Sequence, residues 1–349
     1  MAAAPTMAPE PELLLMLSVE LSTESKNTAA LVGRAIRTEI FSPGDKLDVG
    51  QRVSPLRKEL NINYAAPTQL GGFALVSHEV VVSETARFIT ETTKLTTSQA
   101  TYRNLWSRPS NFGIWGVGYA AEALSLDNQP DSAPYLREFT GRHGRTSQNL
   151  ALIGYWVADR RPNHLVLPTG HLDRFNAEWG TPAGNVAYVK VEYKHESFFS
   201  ITPRISAGFS ASVGALRGLG GDLTPLTKRY FGGGIGAVRG YEVSALSPVD
   251  TSGAGMGANR QLVATAEAFW HAFNIGATPT ILSAFYDRGR FYDTGESRVS
   301  GQSSVRAASY GLGIALPVRI GLVRFIFAKP IDDNQRTQRF QFEARANWK

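Results

Sequence analysis

Apolar and polar side chains alternate one residue at a time along several stretches of this chain. In residues 340–348 the even-numbered side chains are apolar and the odd-numbered ones are polar or charged. The stretches 204–213, 187–194 and 59–64 repeat the same two-residue period. Because successive side chains of a β-strand point to opposite faces, each stretch is predicted to be a strand with one apolar and one wet face. The sequence therefore predicts an all-β fold.

Strands of this kind fit two architectures, a soluble antiparallel sandwich and a closed barrel. Composition alone does not separate them, since the chain has 349 residues of which 43% are hydrophobic and 19% charged. No stretch approaches the roughly 18 uninterrupted apolar residues of a transmembrane helix, which excludes such helices. A transmembrane barrel stays possible, because its strands alternate apolar and polar residues and average to a soluble-looking composition.

Three features favour the membrane barrel. The polar faces carry full charges, as a water-filled lumen permits. Short connections such as 42–45 occur beside long ones such as 124–134 and 244–258. Aromatic residues lie near predicted strand ends, where a lipid–water interface favours them: Tyr64, Tyr193, Trp270 and Trp348. At roughly 20 residues per strand and connection, we predict a 16-stranded antiparallel transmembrane β-barrel over residues 11–349, after a flexible segment 1–10.

Few residues have the spacing of an active site or a metal site. The chain has no cysteine, and its six histidines never fall at the spacing of metal ligands. Residues 232–237 fit a dinucleotide-binding pattern, but Gly240 and Pro248 break the helix that this fold requires after them. The basic residues behind the net charge of +6 are scattered. The sequence predicts no enzyme, no cofactor, no metal and no nucleic-acid partner.

One loop and two strands carry charges that are predicted to meet. The loop has the sequence Val238-Arg239-Gly240-Tyr241 after a glycine-rich turn. In the strand 262–270 the even residues are apolar, which turns Glu267 to the lumen side, and the same alternation in 282–286 turns Asp287 inward. Arg239 would meet both acids if the loop folded into the lumen. The alternative is that Arg239 is an exposed loop charge and that Glu267 and Asp287 only keep the lumen hydrated.

These motifs resemble those of a known family. Val238-Arg239-Gly240-Tyr241 followed by Phe285-x-Asp287-x-Gly289 is similar to a motif pair of the BamA-type superfamily of outer-membrane-protein insertases and related two-partner secretion transporters. Residues 159–163 with 167–170 resemble the Asp-x-Arg-x-Asn and Phe-Pro-Thr-x-Gly hairpin of the family, and 328–330 with Phe340-Gln341-Phe342 resemble its final two strands. The likeness runs from about Trp156 to the end, and four motifs in the right order make it specific.

The resemblance implies a 16-stranded barrel with a long inward-folded loop. Its Val238, Arg239, Gly240 and Tyr241 would lie against the lumen wall, with Arg239 paired to Asp287 and Glu267. It also implies a seam between the first strand, around residues 13–20, and a last strand containing Phe340, Phe342 and Trp348. An open seam would offer an unpaired edge to an incoming client strand.

The implied function is the folding and insertion of β-barrel client proteins in the bacterial outer membrane. Expected partners are unfolded clients, the lipid bilayer and accessory lipoproteins of an assembly complex. The alternative is a polypeptide-secreting pore of the two-partner type. No POTRA module is recognisable ahead of the barrel, and no signal peptide precedes it, which leaves the outer membrane of a mitochondrion or plastid open as a location.

Overall fold

The computed structural model describes residues 13–22, 28–90, 93–128, 133–162, 167–276, 278–295, 299–318, 321–332 and 335–348. The predicted segment 1–10 lies outside the described residues. Within them, sixteen strands form one antiparallel sheet: β1 (Leu13–Ser22), β2 (Thr28–Thr38), β3 (Lys46–Val53), β4 (Arg57–Pro67), β5 (Leu75–Phe88), β6 (Lys94–Ser110), β7 (Gly113–Asn128), β8 (Thr146–Asp159), β9 (Gly170–Gly180), β10 (Tyr188–Thr202), β11 (Ile205–Gly218), β13 (Arg260–Ile275), β14 (Thr278–Tyr292), β16 (Ser304–Val318), β17 (Gly321–Pro330) and β18 (Phe340–Trp348). Two short strands, β12 (Val249–Asp250) and β15 (Ser300–Gln302), pair with each other outside this sheet.

The sheet closes on itself. Each strand pairs with its neighbours in chain order, and β1 pairs with both β2 and β18. The ladder between the first and last strands joins residues 17–22 to residues 343–348. The predicted all-β fold and its sixteen antiparallel strands are therefore confirmed. Among the described residues, no helix is long and apolar enough to cross a membrane.

The outer wall is apolar, as the alternation predicts. On β13 the exposed side chains include Leu262 and Trp270, while Glu267 between them is turned away from this face. On β14 Tyr286 is 43% exposed and its neighbour Asp287 is fully buried. An apolar outer face suits lipid, and the opposite face can hold charges because it borders the lumen.

Connections differ in length at the two ends of the barrel. The turns at one end include 111–112 and 203–204, and the opposite end has the long connections between β7 and β8 and between β11 and β13. The connection 129–145 contains a helix, α1 (Pro134–His143), that the alternation analysis did not predict. Proline begins this helix and Gly144, with φ of 77°, follows it. Ten residues are too few to produce a clear helical period in the sequence.

The main core lies inside one end of the barrel. Residues 219–259, called here the inward loop, fold into the lumen and pack against α1 and the wall. The large buried side chains of this core include members of α1 (Tyr135, Leu136 and Phe139), of the inward loop (Leu223, Leu226, Leu246 and Met256) and of the wall (Tyr188, Leu216 and Phe291). Burial of these apolar groups stabilises the seated loop.

One short turn depends on a buried carboxylate, which makes its stability depend on pH. Asp45, between β2 and β3, accepts hydrogen bonds from the backbone N–H groups of residues 40, 41 and 42 and from the Tyr64 hydroxyl at 3.0 Å. Burial alone would raise the pKa of Asp45, but these donors hold it below its usual value.

We expect this turn to loosen in acid. Because the folded-state pKa is the lower one, the stabilisation is complete above the ordinary carboxyl pKa of about 4 and is lost as pH falls through the folded-state value. Amide hydrogen exchange at residues 40–42, corrected for the intrinsic pH effect, should accelerate below that pH. The Asp45→Asn variant should lack this step, and the same acid step in both proteins would contradict the assignment.

Candidate functional site

The tip of the inward loop, Val238 to Tyr241, lies flat against the lumen wall. Val238 and Tyr241 are fully buried. Gly240 has φ of 88°, which favours glycine, and a Cβ there would lie 3.0 Å from the Cβ of Ala328. A Cβ on Gly289 of β14 would lie 2.6 Å from Val238 Cγ2. Both glycines therefore permit close contact between the tip and the wall.

Arg239 makes the charged contacts of the tip. Its Nε and Nη2 donate to the two oxygens of Asp287, each at 2.8 Å, and its backbone N–H donates to Asp287 Oδ2 at 3.0 Å. Its Nη1 donates to Glu267 Oε2 at 2.9 Å. Asp287 is fully buried and Arg239 is 8% exposed. This charge-assisted bidentate geometry fixes the position of the tip on β13 and β14.

Phe285 lies under the Arg239 guanidinium; sequence analysis quoted it in the Phe285-x-Asp287-x-Gly289 motif but gave it no role. The Arg239 guanidinium carbon is 3.5 Å from the centre of the Phe285 ring. A cation over an aromatic face in a buried setting adds stabilisation beyond the ion pair. The alternation of β14 contains the signal for this contact, because Phe285 has the same parity as Asp287.

Tyr241 and Gln341 extend the site towards the last strand. The Tyr241 hydroxyl lies 3.0 Å from the carbonyl oxygens of both Ala308 and Asp332. Gln341 of β18 is fully buried, accepts from the Gly240 N–H at 3.2 Å and donates from Nε2 to the Tyr241 carbonyl at 3.1 Å. Sequence analysis placed Gln341 in a strand motif but gave it no role.

Lys228 anchors the base of the inward loop to a second part of the wall, formed by β7 and β9. Its Nζ lies 2.6 Å from Glu122 Oε1 on β7 and 2.6 Å from Glu178 Oε1 on β9, and the Tyr188 hydroxyl also donates to Glu178. Burial opposes the charge, but the two carboxylates hold the pKa of Lys228 above its usual value. Together with Arg239 on β13 and β14, it holds the loop at two separate places on the wall. This second anchor was also missed by sequence analysis, because Glu122 and Glu178 belong to no recognised motif.

Arg229, the residue after Lys228, joins the inward loop to α1. Its guanidinium pairs with Asp293, and both side chains are fully buried. It also donates to Thr224 Oγ1 at 2.7 Å and to the Tyr135 hydroxyl at 3.1 Å. The helix thus packs on the loop through a hydrogen-bonded charge as well as through apolar contacts.

The predicted seam residues occupy different parts of β18. Phe340 and Phe342 pack their rings against Phe327 and Phe325 of β17, with ring centres 5.1 Å apart in both pairs. The backbone of Trp348 pairs with Leu17 across the seam, and its side chain lies outside the described residues. The described seam begins at residue 17, so it overlaps the predicted segment 13–20 only in its second half.

The hairpin resemblance at residues 159–170 is partly described. Arg161 bonds Asp159 at 2.7 Å and Glu196 of β10 at 2.6 Å, which ties the turn to the neighbouring strands. Residues 163–166, which include Asn163 of the motif, lie outside the described residues.

Fold and site together define a transmembrane β-barrel with a long loop folded into its lumen and bonded to its wall. Residues 40–345 match the family model described as the Omp85 superfamily domain, and the chain belongs to the Omp85 superfamily. The resemblance drawn from the motifs is confirmed.

Relatives and solved structures agree with this membership. The chain is 24% identical over 270 residues to the outer membrane protein assembly factor BamA of Neisseria meningitidis serogroup B, and 25% identical over 236 residues to that of Nitratidesulfovibrio vulgaris. These alignments cover 67% and 65% of this chain but 33% and 29% of the relatives, so the chain spans about a third of their length.

The similarity of fold is more extensive than the similarity of sequence. The structure of BamA from Haemophilus ducreyi lacking POTRA domains 1–3 matches with a TM-score of 0.81 at 15% identity, over 96% of this chain and 70% of that one. CdiB from Acinetobacter baumannii matches with a TM-score of 0.62 at 13% identity, over 96% and 60% of the respective chains.

Proposed function

We propose that this barrel folds and inserts β-barrel client proteins in the bacterial outer membrane through the seam between β1 and β18. The observation that carries the proposal is the seam itself, because β1 and β18 pair with each other although they are the first and last strands described. Over the described residues, 17–22 pair with 343–348. A closed seam satisfies backbone groups in lipid, and β1 and β18 can separate without straining a hairpin turn, because none joins them.

An open seam would offer the unpaired backbone groups to which a client strand can hydrogen-bond. Each seam strand would present free N–H and C=O groups, and an incoming strand can add to such an edge. No nucleotide is needed, because a client gains free energy when its own apolar face enters lipid. The Neisseria and Nitratidesulfovibrio relatives, named as assembly factors, support the same function. Accessory lipoproteins of an assembly complex are the further partners we propose.

The alternative function, a secretion pore, requires a passage through the lumen. The inward loop is anchored by Lys228 on β7 and β9 and by Arg239 on β13 and β14, and its apolar core is buried. A secreted chain would have to displace both anchors, which favours the assembly function. The similarity to CdiB concerns the fold alone.

We expect a disulfide across the seam to stop client assembly. The chain has no cysteine, so a Val19→Cys/Ala346→Cys pair would be the only one present, and these positions are register partners on β1 and β18. Paired residues of antiparallel strands have Cα separations that a disulfide can span. Oxidation should abolish porin assembly in the native membrane, and reduction should restore it.

The matched control links two strands that need not separate. Ala211 and Ala264 are register partners on β11 and β13, and both are alanines on the apolar side of their strands. Oxidised Ala211→Cys/Ala264→Cys protein should assemble porins at the rate of its reduced form. Undiminished assembly by the oxidised seam variant would reject lateral opening.

A further inference from the structure

Gln341 connects the loop tip to the strand that forms one side of the seam. It lies on the lumen face of β18 with no exposed surface. Its amide accepts from the backbone N–H of Gly240 and donates to the backbone carbonyl of Tyr241. Both partners are main-chain groups, so the contact requires the backbone conformation of the tip and not its side chains.

The connection between β17 and β18 strengthens this junction. The Gln338 N–H donates to the Gly240 carbonyl at 2.8 Å, and the Glu242 N–H donates to the Arg336 carbonyl at 3.1 Å. Tyr241 and Thr337 form an antiparallel bridge between these two bonds. The tip is thus hydrogen-bonded like a short added strand along residues 336–338, and Gln341 continues that bonding onto β18.

The tip therefore contacts two separate parts of the wall. Arg239 holds it to β13 and β14 by charge, and Gln341 holds it to β18 by a pair of amide hydrogen bonds. If the tip leaves the wall, the buried amide of Gln341 loses both partners, and a buried amide without partners is unfavourable. The free energy of tip seating and the free energy of holding β18 in place are linked by this residue.

We infer that Gln341 is a positioning residue that couples seating of the loop tip to closure of the seam. It acts through β18 and touches no client. Because coupling between two sites is reciprocal, loosening the tip should loosen the seam, and opening the seam should weaken the tip. The biological role of this coupling rests on the proposed function, but the coupling itself can be measured in the absence of a client.

The test is a double-mutant cycle read by amide hydrogen exchange in the full protein. Gln341→Leu keeps a similar volume and removes both bonds, and Arg239→Met releases the tip from the acids. We expect Gln341→Leu to speed exchange of the Gly240 amide about ten-fold, as for loss of a buried hydrogen-bonded partner. Arg239→Met should speed exchange at seam residues 343–348 about ten-fold when Gln341 is present, and less than about two-fold further in the Gln341→Leu protein.

Two additional variants control for misfolding. Gln341→Glu can still accept from Gly240 but has no donor for Tyr241, so its seam exchange should lie between wild type and Gln341→Leu. Gln51→Leu changes an exposed glutamine of β3 and should leave exchange at 343–348 unchanged. Heat-modifiable migration in detergent would verify that each barrel is closed.

Two results would overturn the coupling. One is an unchanged Gly240 exchange rate in Gln341→Leu, and the other is an equal effect of Arg239→Met with and without Gln341. Neither result bears on the disulfide experiment across the seam. If the cycle is non-additive while the tethered seam still assembles porins, the coupling stands and the proposed function fails.

Discussion

Replacing Arg239 by methionine should release the loop tip and severely reduce client assembly. The substitution keeps much of the apolar stem but leaves Asp287, which is fully buried, without its bidentate partner. Breaking a buried ion pair by removing one member costs about 3–5 kcal/mol. The tip should then become accessible, which limited proteolysis within residues 219–259 would detect, and porin assembly in the native membrane should fall in parallel.

The controls separate two effects of this substitution, namely the unpaired buried charge of Asp287 and the loss of an arginine side chain as such. Arg204→Met changes an exposed arginine in the short turn 203–204 and should leave both measurements unchanged. Arg239→Met combined with Asp287→Asn and Glu267→Gln removes the unpaired charges and should recover protease resistance in part. Wild-type protease resistance in Arg239→Met alone would refute the role of this pair in seating the tip.

Replacing Lys228 by methionine should destabilise the second anchor, on β7 and β9, by a comparable amount. Glu122 and Glu178 both bond the same Nζ, so its removal leaves two carboxylates facing each other in a buried setting. The two like charges then repel each other, and neither carboxylate has its cationic partner. We expect the free energy of unfolding to fall by about 3–5 kcal/mol. On a detergent gel, the folded band should therefore convert to the unfolded band at a lower temperature.

An exposed ion pair provides the comparison for this second variant. Lys58 pairs with Glu84 at 3.1 Å, but both side chains are about half exposed or more, and such pairs contribute about 1 kcal/mol or less. Lys58→Met should therefore shift the conversion temperature little. The triple variant Lys228→Met/Glu122→Gln/Glu178→Gln should recover much of the loss. Equal shifts for Lys58→Met and Lys228→Met would argue against a buried anchor.

Much of the barrel wall follows from local sequence. Alternation in 262–270 and 282–286 is enough to turn Glu267 and Asp287 inward, because a strand leaves each side chain a choice of only two faces. The motif order then predicts which loop meets these acids. The structure places Arg239 within 2.9 Å of both carboxylates.

Other parts of the site depend on distant segments that no local pattern connects. Lys228 lies 106 residues from Glu122 in the chain, and Gly240 lies 101 residues from Gln341. An isolated lysine or glutamine with the correct parity has many possible partners across a sixteen-stranded lumen. The helix α1 was missed for a different reason, since its ten residues with three buried apolar side chains are too short for a clear helical period.

The arrangement of the core has a consequence for the order in which the protein folds. The ion pair of Arg239 with Asp287 spans 48 residues of chain, whereas the seam joins the first described strand to the last. Closing a longer loop costs more chain entropy, so the contacts of the tip should form before the cylinder closes. The loop can then act as an internal template that bends β13, β14 and β18 to their final curvature. Folding would thus begin on the inside of the wall and finish at the seam between β1 and β18, the edge through which we propose that clients enter.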